Sequence, residues 1–428
     1  MKEKLNRLVN SAIFRNFLMY TGGAMLLRGV GFFLIPVYTR YLVPAEFGKL
    51  ELLTTFTSTL EIIFSFGLYQ VLVMEFFKKD EAGKKELVDR VLSTYLAITT
   101  FLYLITGAVI AMVHHKVQTD LPSGLVYLAM ITSYFNFYQN SFITIIRLYE
   151  KAKWLTILQV GLGITSILLN ILMVVVLKTG IVGILLTNLI TLTVTNLLAL
   201  RSYRKFYGRF TGYFSMSHFR QMLSLGMMFV PGFIAFWLMN SVSRWMLAAY
   251  SGLEAVGIFS IAIKFSSMID PLLVQPFLNA YNPRTLKGFS EGNFNQRLGL
   301  YVPLIVLLFF ALGFILKMVA QFMVDASYLP GTDMIPLLVL SVAFGLIANV
   351  SNLILIYHRK IHLGFISVIS GLAVSVTANY FLVGSYGGWG AAWATVLGNF
   401  FWMMMIYIFH RRELTLVVKN NINTQPSA

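Results

Sequence analysis

Displaced by 209 positions, the sequence matches itself, and the matches include polar residues set inside apolar stretches. Tyr41 falls on Tyr250, Gly48 on Gly257, Ser58 on Ser267, Asn140 on Asn349 and Asn170 on Asn379. Glu61 falls on Asp270, acid on acid, and Lys78 falls on Lys287. Polar residues within apolar runs are few. One offset that aligns them across the first half therefore reads as an internal duplication, a recurrent construction in polytopic membrane proteins. Whatever the chain folds into is built from two like halves.

The composition says what those halves are made of. The 428 residues are 57% hydrophobic and 12% charged, with a mean hydropathy of +0.75. A soluble chain carries about 25% charged residues. A helical span needs about 20 apolar residues. Twelve such stretches occur, near 15–40, 50–77, 90–113, 123–148, 154–177, 181–200, 223–247, 255–280, 299–322, 334–357, 360–383 and 389–409. The expected fold class is all-α, a polytopic membrane protein of twelve transmembrane helices in two six-helix lobes. Six spans per half is an even number, so both halves enter the membrane in the same sense, related by an axis along the membrane normal. The expected organisation is an N-lobe over 1–200, a basic linker over 201–222, a C-lobe over 223–409 and a tail over 410–428. The linker holds Phe206, Phe210 and Phe214 among Arg and Lys, a pattern suited to a short helix at headgroup depth.

The net charge of +16 would ordinarily suggest nucleic acid, but its placement does not. With a cytoplasmic N-terminus, 25 of the 33 Lys and Arg fall on cytoplasmic loops, alternating through every span. This is the positive-inside pattern, with both termini inside and basic loops against anionic headgroups. No nucleic-acid partner is expected. The N-terminal basic stretch leads into a span too long for a signal peptide. Cysteine is absent, which removes disulfide and thiol chemistry. No phosphate-cradling GxxxxGK[ST] or HExxH motif occurs, and the six His lie in loops or at span ends. The adjacent His114 and His115 are not expected to bind metal. Little chain remains outside the spans for a soluble catalytic domain, and an enzyme is not expected.

A charge at mid-membrane costs about 2.5–3.5 kcal/mol on insertion scales, so such residues face a wet cavity or a partner. Three cations qualify, Arg28, Arg244 and Lys264, and two acids, Glu61 and Asp270. Helical spacing groups them with neutral polar residues: Trp237, Asn240 and Arg244 on one face; Thr54, Ser58, Glu61 and Ser65 on another; Ser133, Asn136, Asn140 and Arg147; Ser341, Gly345, Asn349 and Asn352. The stripes imply a hydrated interior between the halves. The acids stand at matched repeat positions, and Asp270 precedes Pro271, which should interrupt its span. Two roles stay open for them: exchange of H+ or Na+, or a structural salt bridge with Arg28, Arg244 or Lys264.

The stretch Phe33–Leu52, FLIPVYTRYLVPAEFGKLEL, resembles the signature region of the bacterial polysaccharide-biosynthesis, O-antigen (Wzx-type) flippases of the multidrug/oligosaccharidyl-lipid/polysaccharide exporter superfamily. The telling residues are Pro36, Tyr38, Arg40, Tyr41, Leu42, Pro44, Glu46 and Gly48, with a weaker echo from Tyr250 to Gly257. The resemblance in length, span count and topology covers the whole chain. It implies a flippase of the bacterial inner membrane, and a monomer with an internal cavity is the simplest expectation. Such a protein moves an undecaprenyl-pyrophosphate-linked oligosaccharide to the outer leaflet by alternating access through a cationic cavity, for O-antigen, capsule or exopolysaccharide. It implies a polysaccharide polymerase and chain-length machinery as partners, and no cofactor beyond a coupling H+ or Na+. Under it, Arg28, Arg244 and Lys264 hold phosphate, and Asn140, Asn240 and Asn349 hydrogen-bond the substrate. The alternative is a multidrug or small-cation antiporter of the same superfamily. Related lipid II flippases have fourteen helices, against twelve expected here.

Overall fold

The computed structural model describes residues 29, 31–114, 121–209, 211–212, 214–291 and 298–423. Arg28, His115 and most of the first predicted span lie outside the described residues. Within them there are helices and no strand. In chain order these are α1 (Ile35–Tyr41), α2 (Pro44–Phe64), α3 (Leu68–Phe76), α4 (Glu81–His114), α5 (Ser123–Leu148), α6 (Ala152–Asn170) and α7 (Gly180–Tyr207). They continue as α8 (Met216–Gly226), α9 (Val230–Ser267), α10 (Gln275–Ser290), α11 (Leu298–Met323), α12 (Leu329–Thr332), α13 (Ile335–Tyr357) and α14 (Ile361–Asn423).

Among the described residues seven helices are long and apolar enough to cross a membrane, or eight when α2 and α3, bent 49° at their junction, count as one span. Two of the seven are double. At 38 residues α9 would run roughly 57 Å if straight, and α14 is longer still, against a hydrocarbon layer of roughly 30 Å. Each turns back at a glycine of positive φ, Gly252 (φ 81°) and Gly387 (φ 52°), so each is two spans. With α5, the described residues hold eleven spans, and the first of the twelve expected lies mostly outside them. α11 shows how far the surface is built for lipid: only 6% of its most apolar window is buried, and Phe322 is 86% exposed.

Several local expectations need correction. The second span begins at Pro44 rather than near residue 50 and breaks at Phe66 and Gly67, both of positive φ. The third helix begins at Glu81, nine residues before its apolar run. The short helix of the linker begins at Met216; Phe206 belongs to α7, and Phe210 lies outside the described residues. α7 runs on through Tyr207, and the next helix is α8, whose Met222 joins the core of α3, α4 and α5. Between them the linker is tied down by buried Asp89 of α4. That carboxylate accepts from Lys85 Nζ at 2.7 Å, Tyr203 Oη at 2.8 Å and Thr211 Oγ1 at 2.9 Å. Asp270–Val274 is a π-helical segment, the interruption that Pro271 predicts.

The chain divides into two compact units. The first holds residues 1–42 and 52–234, the second 43–51 and 235–428. The first is held by an aromatic ladder across α3, α4 and α5. Tyr69, Tyr95 and Phe137 lie 4.7–5.7 Å apart in ring centroids, and buried phenols bond to fixed acceptors, Tyr69 to Phe137 O at 2.8 Å and Tyr95 to Ser65 O at 3.1 Å. A buried phenol costs stability unless its hydroxyl is bonded, so these bonds fix helix register as well as packing. The second unit packs around α13, with Ala348, Ile354 and Leu355 against Met239, Phe289, Trp402 and Ile406.

The duplication is visible in the backbone. In the second unit, Gly48 and Gly257 face each other. A Cβ on Gly48 would lie 1.9 Å from Leu253 O, and one on Gly257 would lie 1.9 Å from Pro44 O. Those carbonyls are themselves 209 positions apart, so the crossing is symmetric. Only residues without a side chain allow this approach. The halves also share a hydrogen bond. Asn170 Nδ2 donates to Ser166 O at 2.8 Å, and Asn379 Nδ2 donates to Ser375 O at 2.8 Å.

Candidate functional site

In the second unit the sequence brings three charges to one point. Pro44, with no N–H to lose, opens α2 and sets Glu51 two turns inside it. The Gly252 turn folds the two arms of α9 against each other, so that Arg244, eight residues before it, and Lys264, twelve after it, both reach Glu51. Lys264 Nζ lies 2.8 Å from Glu51 Oε1, and Arg244 Nε lies 3.9 Å from Oε2. Glu51 is 5% exposed. The Lys264 ammonium also sits 5.6 Å from the Phe47 ring centroid, at cation–π distance. Arg244 Nε is buried without a hydrogen-bond partner among the described residues. One carboxylate thus serves two cations, and the three formal charges sum to one positive.

Of the predicted phosphate-holding cations, Arg244 and Lys264 meet, and Arg28 lies outside the described residues. Their shared acid is neither Glu61 nor Asp270. It is Glu51, which stands at the edge of the span expected near 50–77. The signal available was Pro44, a helix-opening proline that moves Glu51 two turns inward. Asn240 lies one turn before Arg244 and donates to Phe236 O at 2.8 Å. Asn349 is exposed and donates to Gly345 O at 2.8 Å. Asn140 is exposed, and its carbonyl accepts from Thr144 at 2.9 Å.

A second site lies wholly within the first unit. A cavity of about 390 Å³ is lined by Thr54, Ser58, Glu61, Ser133, Asn136, Gln139, Asn188 and Thr191, among others. The predicted stripes of α2 and α5 converge there. Asn136 Nδ2 lies 3.0 Å from both Glu61 oxygens, and Ser133 Oγ lies 3.0 Å from Oε1. Tyr103 Oη, 2.7 Å from Ser133 Oγ, continues the chain behind it. Among the described residues no Lys or Arg pairs with Glu61. Gln139 Oε1 and Thr191 Oγ1 are buried and have no hydrogen-bond partner among the described residues. Asp270, the repeat partner of Glu61, sits differently. It is half-buried on the π-helical segment, with Gln275 Nε2 at 3.2 and 3.3 Å from its oxygens.

Comparison with known proteins places this geometry. Residues 13–288 match the polysaccharide biosynthesis protein family, well over half of the chain, and the chain belongs to that family. No curated protein sequence matches it. Its fold is that of the MOP-superfamily transporters. The lipid II flippase MurJ, in an inward closed conformation, superposes with a TM-score of 0.74 at 16% identity, over 96% of this chain and 94% of MurJ. A multidrug-resistance MATE transporter in its inward-facing conformation gives 0.71 at 15%, over 92% and 96%. A MOP-superfamily transporter from Pyrococcus furiosus, described by the reversed polarity of its binding pocket, gives 0.65 at 15%, over 96% and 98%. At these identities the structural likeness speaks for the fold, a multi-pass membrane protein of twelve helices.

Proposed function

We propose that this chain is a flippase that carries an undecaprenyl-pyrophosphate-linked oligosaccharide across the bacterial inner membrane by alternating access. Both termini lie in the cytoplasm, and the glycan is destined for O-antigen, capsule or exopolysaccharide. The carrying observation is that a member of the polysaccharide biosynthesis family, on a transporter fold, holds Arg244 and Lys264 together at a buried point within its spans. A pyrophosphate crossing a low-dielectric layer needs fixed positive charge, since the interaction strengthens as the dielectric falls. Arg offers a planar fork to phosphate oxygens and Lys a point charge. Arg244, loosely held by Glu51, has donor capacity left for a ligand. Asn140, Asn240 and Asn349 would serve the glycan hydroxyls, and Arg28 would add to the cationic lining. Glu61 and Asp270 are the acids available to couple H+ or Na+. The protein works as a monomer among membrane lipids, hands its cargo to a polysaccharide polymerase with chain-length machinery, and performs no bond chemistry itself.

The test is complementation of a strain lacking its own flippase, read as surface glycan. The intact chain restores glycan. Arg244→Ala with Lys264→Ala lowers it at least tenfold at equal protein level. Full glycan from that double variant removes the phosphate role. A multidrug or small-cation antiporter is favoured by one observation, the Glu61 cavity, an acid with no Lys or Arg partner among the described residues. Efflux of organic cations by the double variant, without glycan export, would select that reading.

A further inference from the structure

We infer that a π-helical turn in the second unit builds a binding ladder for sugar hydroxyls along one face of a span, with Ser267, Gln275, Asn279 and Asn282 as its contacts.

The backbone makes the ladder. Pro271 and Pro276 carry no N–H, so the α-helical bonds to Ser267 O and Leu272 O cannot form. The chain takes a wider turn over Asp270–Val274, closed by the Gln275 N–H on Asp270 O, five residues back. A π-turn holds one residue more than an α-turn, which swings everything beyond it round by about 100°. Positions 264, 267, 270, 275, 279 and 282 are separated by 3, 3, 5, 4 and 3 residues. The π-turn absorbs one of the five, and the steps become 3, 3, 4, 4 and 3, the spacing of a single helical face. In an unbroken α-helix Gln275, Asn279 and Asn282 would point about 100° away from Lys264 and Ser267. Single π-turns inside α-helices concentrate at functional sites.

The face so made is wet. Ser267, Gln275 and Asn279 are exposed, and Asn282 Oδ1 is buried with no hydrogen-bond partner among the described residues. Gln275 Nε2 donates to both Asp270 oxygens, at 3.2 and 3.3 Å, which holds the amide on this face. Leu272, Leu273 and Phe277 are exposed too and fall on the other side of the helix. Amides left bare in hydrocarbon are costly, so a span with two such faces turns the apolar one to lipid and the polar one to water. The chemistry then names the occupant. Each amide offers both a donor and an acceptor, which is what sugar hydroxyls demand of a partner. The ladder runs roughly 25 Å at 1.5 Å per residue, long enough for several rings. Charge is ordered along it: Lys264 stands at one end, sharing Glu51 with Arg244, and neutral contacts follow on either side of Asp270. The cargo of the flippase reading, on which this inference rests, has the same order, pyrophosphate and then sugars. Asp270 repels acidic sugars, so the glycan beside it is neutral.

The repeat supplies an internal control. The first half keeps the acid, Glu61, and the serine, Ser58, but the positions matched to Gln275 and Asn282 are Phe66 and Val73. Only Asn279 keeps an amide, Gln70. Where the second half takes its π-turn, the matched span of the first half bends by 49° instead, and the polar stripe ends there.

The experiment is equilibrium binding of two labelled probes to the purified full-length chain in lipid nanodiscs: undecaprenyl pyrophosphate, and the same lipid carrying a neutral tetrasaccharide. The intact chain should hold the glycosylated probe about tenfold more tightly, as a few net hydrogen bonds allow. Gln275→Leu with Asn279→Leu and Asn282→Leu should remove that preference and leave the bare probe within about twofold. Deleting Leu272, which returns the turn to the α-helical count, should remove it too with every contact residue still present. Monodispersity and melting temperature show that each variant is folded. Should the deletion or the triple variant misfold, Asn279→Leu alone, at an exposed position, carries the test with a loss of about threefold in the preference. An unchanged preference in the folded variants, or an equal gain from a tetrasaccharide of uronic acids, overturns the inference. Binding of the bare probe with no preference for the sugar overturns the ladder alone. Binding of neither probe overturns the flippase reading and the ladder with it.

Discussion

The two halves of this chain agree in backbone and disagree in chemistry. Glu61 and Asp270 occupy one position of the repeat. The first stands over an oxygen-lined cavity with three donor contacts on its carboxylate. The second bonds Gln275, and the positions matched to Ser133, Gln139 and Thr191 are Val342, Ala348 and Phe400, while those matched to Ser58, Thr132 and Ser166 are serine. The charges divide the other way. Glu51, Arg244 and Lys264 gather in the second unit, and their matched positions are Ser260, Ile35 and Thr55. Duplication preserved what the helices need in order to cross and bond. It left each half free to specialise, one toward a lone acid and the other toward paired cations.

If backbone is what the repeat conserved, then breaking it should cost the same on both sides. Gly48→Ala and Gly257→Ala each drive a methyl into an opposing carbonyl, and overpacking of this kind costs about 1–3 kcal/mol. Equal, large losses of folded protein are expected, read as melting temperature in detergent; a clear inequality would mean that the crossing is not symmetric in energy. If chemistry is what diverged, the matched acids should part company. On the proposed coupling role, Asp270→Asn should leave the ion-gradient dependence of glycan export within about twofold, where Glu61→Gln lowers it about tenfold, the gap that one charge-assisted pair spans. Equal losses would erase the distinction drawn here. The smallest effect concerns Glu51. Glu51→Gln frees both cations, so a polyprenyl pyrophosphate should bind about threefold more tightly and leave more slowly, read by displacement of a labelled lipid. Weaker binding would mean that Glu51 orients Arg244 and Lys264 rather than competing for them.

Much of this was legible in the residues, for reasons that can be stated. Span number follows from apolar length, because the bilayer fixes how long a helix must be. The matched glycines were readable as repeat members, though their facing contact was not. Gly48 and Gly257 carry no side chain whose chemistry announces a crossing. The stripe Thr54, Ser58, Glu61 and the stripe Ser133, Asn136 each followed from helical spacing, and they do share a cavity. Spacing within one helix says nothing about which neighbour it meets, so the partner of Arg244 and Lys264 went unseen. Glu51 sits close to a basic Lys49 and a span edge, where an acid is usually solvated. Aromatic and basic residues mark headgroup depth without marking where the backbone turns, so the linker's pattern gives a short helix but not its start at Met216. The buried Asp89 that fixes the linker is one acid among many near the Lys84 and Lys85 cluster.

The trio of Glu51, Arg244 and Lys264 has a further consequence, because its charges do not cancel. A membrane potential acts on whatever net charge the carrier presents, at about 2.3 kcal/mol per elementary charge for each 100 mV. Empty, the trio is positive, and an inside-negative voltage draws it toward the cytoplasmic side. Loaded with a pyrophosphate bearing two or more negative charges, it becomes negative and the same voltage pushes it outward. On the proposed flippase reading, a single fixed surplus charge would let the electrical gradient favour both strokes of the cycle.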